Sequence, residues 1–186
     1  GALLTFFLIS LYPGFFYYLT GIFFTTLWVY PLLFFGETAC LYLYWYSWDQ
    51  LSNRKVVHLF IGILLNVFGL SIMFTANSWV SFMTSPAGID DHGNLLNIWD
   101  AITNFTWMPF NIHRFLGNIS FGGAIVAAYA GFKFMASKTD AERAHYDWMG
   151  YTGNLIAISG FMALPFAGYL LTKEIYAFSE QLGVIL

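Results

Sequence analysis

Four long apolar runs decide what this chain can become. Residues about 21–46, 56–82, 109–133 and 150–172 carry almost no charge. Each reaches the roughly 20 residues that a helix needs to cross the hydrocarbon core of a bilayer. Inside lipid every backbone N–H and C=O must be satisfied within the structure, so these runs read as four transmembrane helices. The expected fold is all-α, a polytopic helical bundle forming one transmembrane domain over 1–186. Composition agrees: 59% of the residues are hydrophobic and only 9% are charged, against about a quarter charged in a soluble domain.

Residues 2–20 are apolar too, but Pro13-Gly14 interrupts them. The end of a further span with its turn and a segment lying in the interface both fit. The chain opens on Gly1 without a basic leader, and reads as processed or incomplete. Its single cysteine, Cys40, lies in an apolar run, so no internal disulfide forms, and the lack of Cys-x-x-Cys-His excludes covalent c-type haem. No phosphate loop, nucleophile–base pair or zinc spacing appears. Seven basic residues are too few for a nucleic-acid surface.

Those basic residues set an expected orientation. Arg54 and Lys55 follow the first run, and Lys133, Lys138 and Arg143 follow the third. The long loop, about 83–108, has Asp90, Asp91 and Asp100 and no Lys or Arg. Positive loops stay in the cytoplasm, which puts 47–55 and 133–149 inside and 83–108 outside. The tryptophans agree, with Trp45, Trp48 and Trp148 at the inner interface and Trp79 and Trp107 at the outer. His58 and His145 then lie at the inner edge, His92 and His113 at the outer, a membrane thickness of about 30 Å apart.

His113 opens the third run. At +4, +7, +11, +14 and +18 from it come Gly117, Ser120, Ala124, Ala127 and Gly131, offsets that share one face of a helix with 3.6 residues per turn. Two readings fit this stripe. An imidazole at the mouth of a groove of small residues suits a flat macrocycle lying close to the helix, with Gly117, Ser120 and Ala124 facing it. Small residues also let transmembrane helices pack tightly, with Gly123, Ala127 and Gly131 as a seam. His92, beside Asp90-Asp91, reads as a solvated loop residue, and Met83 and Met108 as ordinary packing.

Glu37 is the other unusual residue. It lies about nine residues, or ~14 Å, from the inner end of the first run. A carboxylate at that depth is costly unless protonated or paired, and such groups mark proton paths. The plainer reading is a neutral Glu hydrogen-bonded across a helix interface. Asn66, His58 and Asn154 are candidate neighbours, and Asp49 would admit protons at the inner surface.

Taken together, Glu37-Thr38-Ala39-Cys40, Trp48-Asp49, Leu51, Lys55-Val56, His58, Ala76-Asn77-Ser78-Trp79, Pro86 and His113 resemble subunit I of the cytochrome bd quinol oxidases. The resemblance covers roughly residues 23–135 and extends more weakly to 172. It implies a helical bundle in the bacterial inner membrane beside a second subunit. It implies that His113 is an axial ligand of a low-spin b-type haem, with the haem iron as its metal, and that this haem receives electrons from quinol near the outer face. It implies that Glu37 belongs to a proton path from the cytoplasm.

Departures from the family pattern are equally specific. Val29 stands where the family has a second carboxylate, eight residues before Glu37. Nothing in 1–20 supplies the family's histidine at the oxygen-reducing site. The family's methionine ligand to the low-spin haem lies on a helix beyond the quinol loop, past Leu186, and Lys173 and Glu174 fall near where that loop begins. The chain is therefore expected to be a membrane subunit of a respiratory electron-transfer complex. It would share in quinol oxidation and would not reduce oxygen alone. A haem-free scaffold subunit is the alternative, and a proton-coupled transporter using Glu37 is a third.

Overall fold

A computed structural model describes residues 2–178 and is all-helical, as the apolar runs require. In chain order the helices are α1 (Ala2–Leu11), α2 (Pro13–Ile22), α3 (Phe24–Tyr46), α4 (Lys55–Phe82), α5 (Ile98–Ile102), α6 (Trp107–Ala136) and α7 (Asp140–Phe178). Among the described residues α3, α4, α6 and α7 are long and apolar enough to cross a membrane. They carry Phe, Leu, Ile, Trp and Tyr side chains that stand exposed along their length, as lipid-facing helices do. The contacts fall into two compact units, Gly1–Trp107 and Met108–Leu186.

In the first unit the apolar N-terminal segment forms two ten-residue helices, α1 and α2. Pro13 is in the first turn of α2, where its missing N–H costs nothing. Leu8, Leu19, Ile22 and Phe23 bury themselves with Phe82, at the end of α4, and Ala101 of α5. The Phe23 and Phe82 rings meet edge to face at 5.2 Å. Tyr18 donates its hydroxyl to the Gly93 carbonyl at 2.8 Å, tying α2 to the segment between α4 and α5.

That segment is held by polar bonds. The Gly88 carbonyl accepts from the N–H groups of Leu96 and Asn97, at 2.8 and 3.1 Å. Gly88 has φ +69°, and a Cβ there would collide with the Asn97 carbonyl oxygen, so only glycine closes this turn without strain. Asp90 Oδ1 accepts from the backbone of His92 (2.9 Å) and Asn94 (2.7 Å), while Oδ2 accepts from Asn94 Nδ2 (2.9 Å). The Asn94 side chain first, then its backbone, then the His92 and Gly93 backbone hold the Asp90 carboxyl below its ordinary 3.8.

Beneath the loop lies a buried polar knot. Asn104 donates to Ser81 Oγ (2.9 Å) and the Ala101 carbonyl (3.0 Å), and accepts from Ser85 Oγ (2.9 Å). Ser85 and Thr106 share a 2.6 Å bond between their hydroxyls. Asn104-Phe105-Thr106 matches the glycosylation pattern in sequence, yet Asn104 and Thr106 are buried and committed to this knot.

α3 and α4 pair closely because glycines on each admit large side chains from the other. The Phe68 ring covers Gly36. A Cβ on Gly62 would lie 2.9 Å from the Tyr44 ring, and one on Gly69 would lie 3.0 Å from Glu37 Oε1.

In the second unit α6 and α7 make a tighter seam. A Cβ on Gly123 would stand 2.6 Å from the Ala157 nitrogen, and one on Gly153 2.8 Å from the Ala127 nitrogen. Gly160 faces Ser120, whose hydroxyl donates to the Ala157 carbonyl at 2.8 Å. Both helices outrun the expected 109–133 and 150–172. α7 starts ten residues early because Thr139 and Glu142 form a capping box. Thr139 Oγ1 accepts from the Glu142 N–H at 3.2 Å, and Glu142 Oε2 accepts from the Lys138 and Thr139 N–H groups at 3.0 and 3.4 Å. This reciprocal pairing satisfies donors that a helix start otherwise leaves open. α7 then runs on through Pro165.

Two predictions follow from these contacts. Gly123→Ala forces a methyl into backbone atoms, which no side-chain rotation relieves, and should destabilise the α6–α7 pair by about 1–3 kcal/mol, read by denaturant titration in detergent micelles. Asp90 has a depressed pKa, so its contribution to the loop is present above 3.8 and is lost as pH falls through the folded value. Amide protection at His92 and Asn94 should drop below that pH, and Asp90→Ala should abolish the transition.

Candidate functional site

His113 lies in the second turn of α6, and its ring faces Gly168 of α7. A Cβ built on Gly168 would be 3.5 Å from His113 Cε1 and 3.7 Å from Nδ1, an ordinary contact distance, with Nε2 more than 4 Å away. Nδ1 is buried and meets no hydrogen-bond partner. Asn111 is buried on the same helix and makes no hydrogen bond to Nδ1. Arg114 follows, its guanidinium 4.8 Å from the centre of the Phe110 ring.

The small residues after His113 divide between the seam and the surface. A Cβ on Gly117 would touch Leu164 of α7 at 4.0 Å. Ser120 is bonded to α7, and Gly123, Ala127 and Ala130 continue the contact, Ala130 facing Gly150 at 3.5 Å from a Cβ built there. Ala124 is exposed, and nothing lies within 4 Å of a Cβ on Gly131. The contacting positions 113, 120 and 127 are seven apart, as are 123 and 130, and on α7 so are 153 and 160. A spacing of seven rather than 3.6 per turn keeps two helices in contact over many turns. The seam runs through Gly123 and Ala130, one position before the Ala124 and Gly131 of the expected stripe, although both columns repeat every seven residues.

Glu37 is half-buried on the α3 face that meets α4, its Oε1 against Gly69. Cys40 is buried one turn on, and Tyr44 another turn on. Tyr44 reaches His58 of α4: their rings stack at 4.2 Å, and Trp48 closes the other side edge-on at 5.0 Å. Both His58 nitrogens are buried and without a hydrogen-bond partner. His58 also lines an open cleft of about 490 Å³ with Tyr44, Trp48, Asp49, Leu51, Ser52, Lys55 and Leu59. Glu37, Tyr44, His58 and Asp49 thus belong to one helix pair, which the sequence suggested for Glu37, His58 and Asp49. Sequence reasoning missed Tyr44 as the ring between them. Its signal was the spacing Glu37, Cys40, Tyr44, one helical face at +3 and +7.

The other candidates are elsewhere. His92 is exposed in the Asp90 turn, and His145 is exposed near the start of α7 with Tyr146 beside it. Met83 packs against the apolar cluster around Phe82, and Met108 is exposed. Among the described residues no three His, Cys, Asp or Glu side chains gather into a cluster.

The family model for cytochrome bd terminal oxidase subunit I matches residues 1–178. No curated protein and no solved structure matches the chain. The family match includes both the His113 seam and the Glu37 helix pair, and reaches past the 23–135 region where the motifs were read. It carries with it a respiratory-chain role in electron transport, the bacterial inner membrane, haem-type cofactors in general, and life within a membrane complex. This chain belongs to the cytochrome bd terminal oxidase subunit I family.

Proposed function

We propose that the chain is the haem-bearing electron-transfer subunit of a quinol-oxidising respiratory complex, with His113 as an axial ligand of a b-type haem and Glu37 in a proton path. The observation that carries this reading is the state of the His113 ring. It is held between two helices with a buried, unpartnered Nδ1 and with Nε2 farther from Gly168 than either Cε1 or Nδ1. A neutral imidazole keeps its proton on one nitrogen and offers the other's lone pair to iron. A bound b-type haem supplies one-electron redox chemistry, its potential set by axial ligand, burial and neighbouring charge.

The protein's part is positioning. The α6–α7 seam, close at Gly123, Gly153 and Gly160, holds the helix that carries His113. Gly117 and Ala124 keep the adjoining turns low, and Ser120 supports the helix through its bond to Ala157. With loops 47–55 and 133–149 in the cytoplasm and 83–108 outside, His113 lies near the outer face. Quinol oxidised there releases protons outward.

Glu37 takes protons from the other side. Asp49 and His58 stand toward the cytoplasmic end of the same helix pair, and Tyr44 stacks on His58. Gly69, lacking a side chain, makes the space that the Glu37 carboxylate occupies.

A haem-free scaffold is the second reading. The observation that favours it is the completeness of the α6–α7 seam, where Gly117 and Ser120 already meet α7. The transporter reading of Glu37 has no support from the family match.

Reduced-minus-oxidised spectra of the complex containing this chain separate the two. His113→Ala should remove a low-spin b-type band from an otherwise intact complex; an unchanged spectrum favours the scaffold. Glu37→Gln should leave that band unaltered and slow quinol-dependent turnover by roughly ten- to a hundredfold, the range for a lost proton-transfer group. Equal rates would remove Glu37 from the path.

A further inference from the structure

We propose that the cleft where α3 ends and α4 begins holds the headgroup of an aminophospholipid, its phosphate on Lys55 and its ammonium on Asp49.

The cleft encloses about 490 Å³, within the range of sites that hold small ligands, roughly 300–1,000 Å³. It lies at a membrane–water boundary, because the helices on either side of it are both long and apolar enough to span. Lys55 and Asp49 line it together, and both are exposed. Among the described residues neither side chain makes a hydrogen bond or an ion pair. Ser52 lines the same cleft, and its hydroxyl is equally uncommitted. Opposite charges that share a cleft without closing on each other suit a guest that carries both. No side chain caps the start of α4 at Lys55, so N–H groups of its first turn are also open to a phosphate.

The aromatic wall of the cleft is already set in place. Tyr44 stacks on His58 at 4.2 Å, and Trp48 meets the same ring at 5.0 Å, yet Trp48 remains 64% exposed. An ammonium beside such a ring gains cation–π attraction, and an ordered wall loses little further freedom on binding. Leu59 lines the cleft and Ile63 follows one turn deeper along α4, both open to lipid. They continue the site as a track for acyl chains. A free phosphate would leave Asp49 unmatched and Leu59 bare. A glycerol headgroup would satisfy Lys55 alone, and a choline has no N–H to donate to Asp49. The ethanolamine headgroup meets both charges.

The test is lipid retention by the assembled complex, which does not depend on the haem reading. Turnover is not the readout, because Asp49 also stands in the proposed proton path. The delipidated complex is titrated with phosphatidylethanolamine, phosphatidylglycerol, phosphatidylcholine or inorganic phosphate, and bound lipid is counted by native mass spectrometry. The parental complex should bind one phosphatidylethanolamine that Lys55→Gln holds about tenfold less tightly, the loss of one charge-assisted bond. Asp49→Asn should weaken phosphatidylethanolamine and leave phosphatidylglycerol at least as tight, a change of preference that general damage to the cleft would not give. Equal retention of the three lipids by the parental complex overturns the proposal, as does unchanged retention in Lys55→Gln. Displacement of the lipid by inorganic phosphate overturns it too, and makes the cleft an ion site. If a variant fails to assemble, the order of the three lipids on the parental complex decides.

Discussion

Two helices in lipid gain nothing from hiding apolar surface from each other, because the solvent is as apolar as they are. What joins them is close contact, and the residue that permits the closest contact is glycine. Both helix pairs of this chain are built on that constraint. Gly123 and Gly153 bring the α6 and α7 backbones together, and Gly36, Gly62 and Gly69 admit Phe68, Tyr44 and Glu37 between α3 and α4. The side chains with chemistry in them lie over the glycines. Glu37 faces Gly69, where a Cβ would stand 3.0 Å from Oε1, and His113 faces Gly168, where a Cβ would make ordinary contact with the ring.

Outside the spans a different force operates. The segment between α4 and α5 can reach water, and its order comes from hydrogen bonds: the Asp90 turn, the Gly88 closure and the Asn104 knot. A buried knot of this kind is costly to break, because each lost partner leaves another polar atom unsatisfied. The knot joins the end of α4 to the residues just before α6 begins. It therefore fixes where the long loop returns, and the charge of Asp90 adds stiffness only on the exposed side.

Much of this was legible in the residues. Apolar length gave the four spanning helices, and Pro13-Gly14 gave the break between α1 and α2. Helix starts were less legible: the Thr139–Glu142 capping box is a local signal, but the charged turn after it looked like loop because apolar content alone marked the span. The small-residue stripe after His113 was visible, and with it the spacing of 113, 120 and 127; that Gly123 and Ala130, not Ala124 and Gly131, complete the contact was not. The partner helix makes that choice, and its Gly153 and Gly160 lie thirty or more residues downstream. The stacking of Tyr44 on His58 was hidden for a related reason. It is a contact between helices, and tyrosine is common enough in this chain, at 12 residues, to give no local signal.

A seam that repeats every seven residues has a weakness: it reads nearly the same after a slip of one repeat. Moving α7 along α6 by seven residues, about 10.5 Å, would again set small residues opposite small ones. What forbids it is the connection. Ser137–Thr139 is three residues long and spans at most about 11 Å when fully extended, most of which is consumed in crossing between helix axes 8–10 Å apart. The capping box shortens it further by fastening Lys138 and Thr139 to Glu142. The hairpin thus acts as a vernier stop. A few polar bonds in water select one alignment from several that lipid alone would accept, and in that alignment a histidine lies over a glycine.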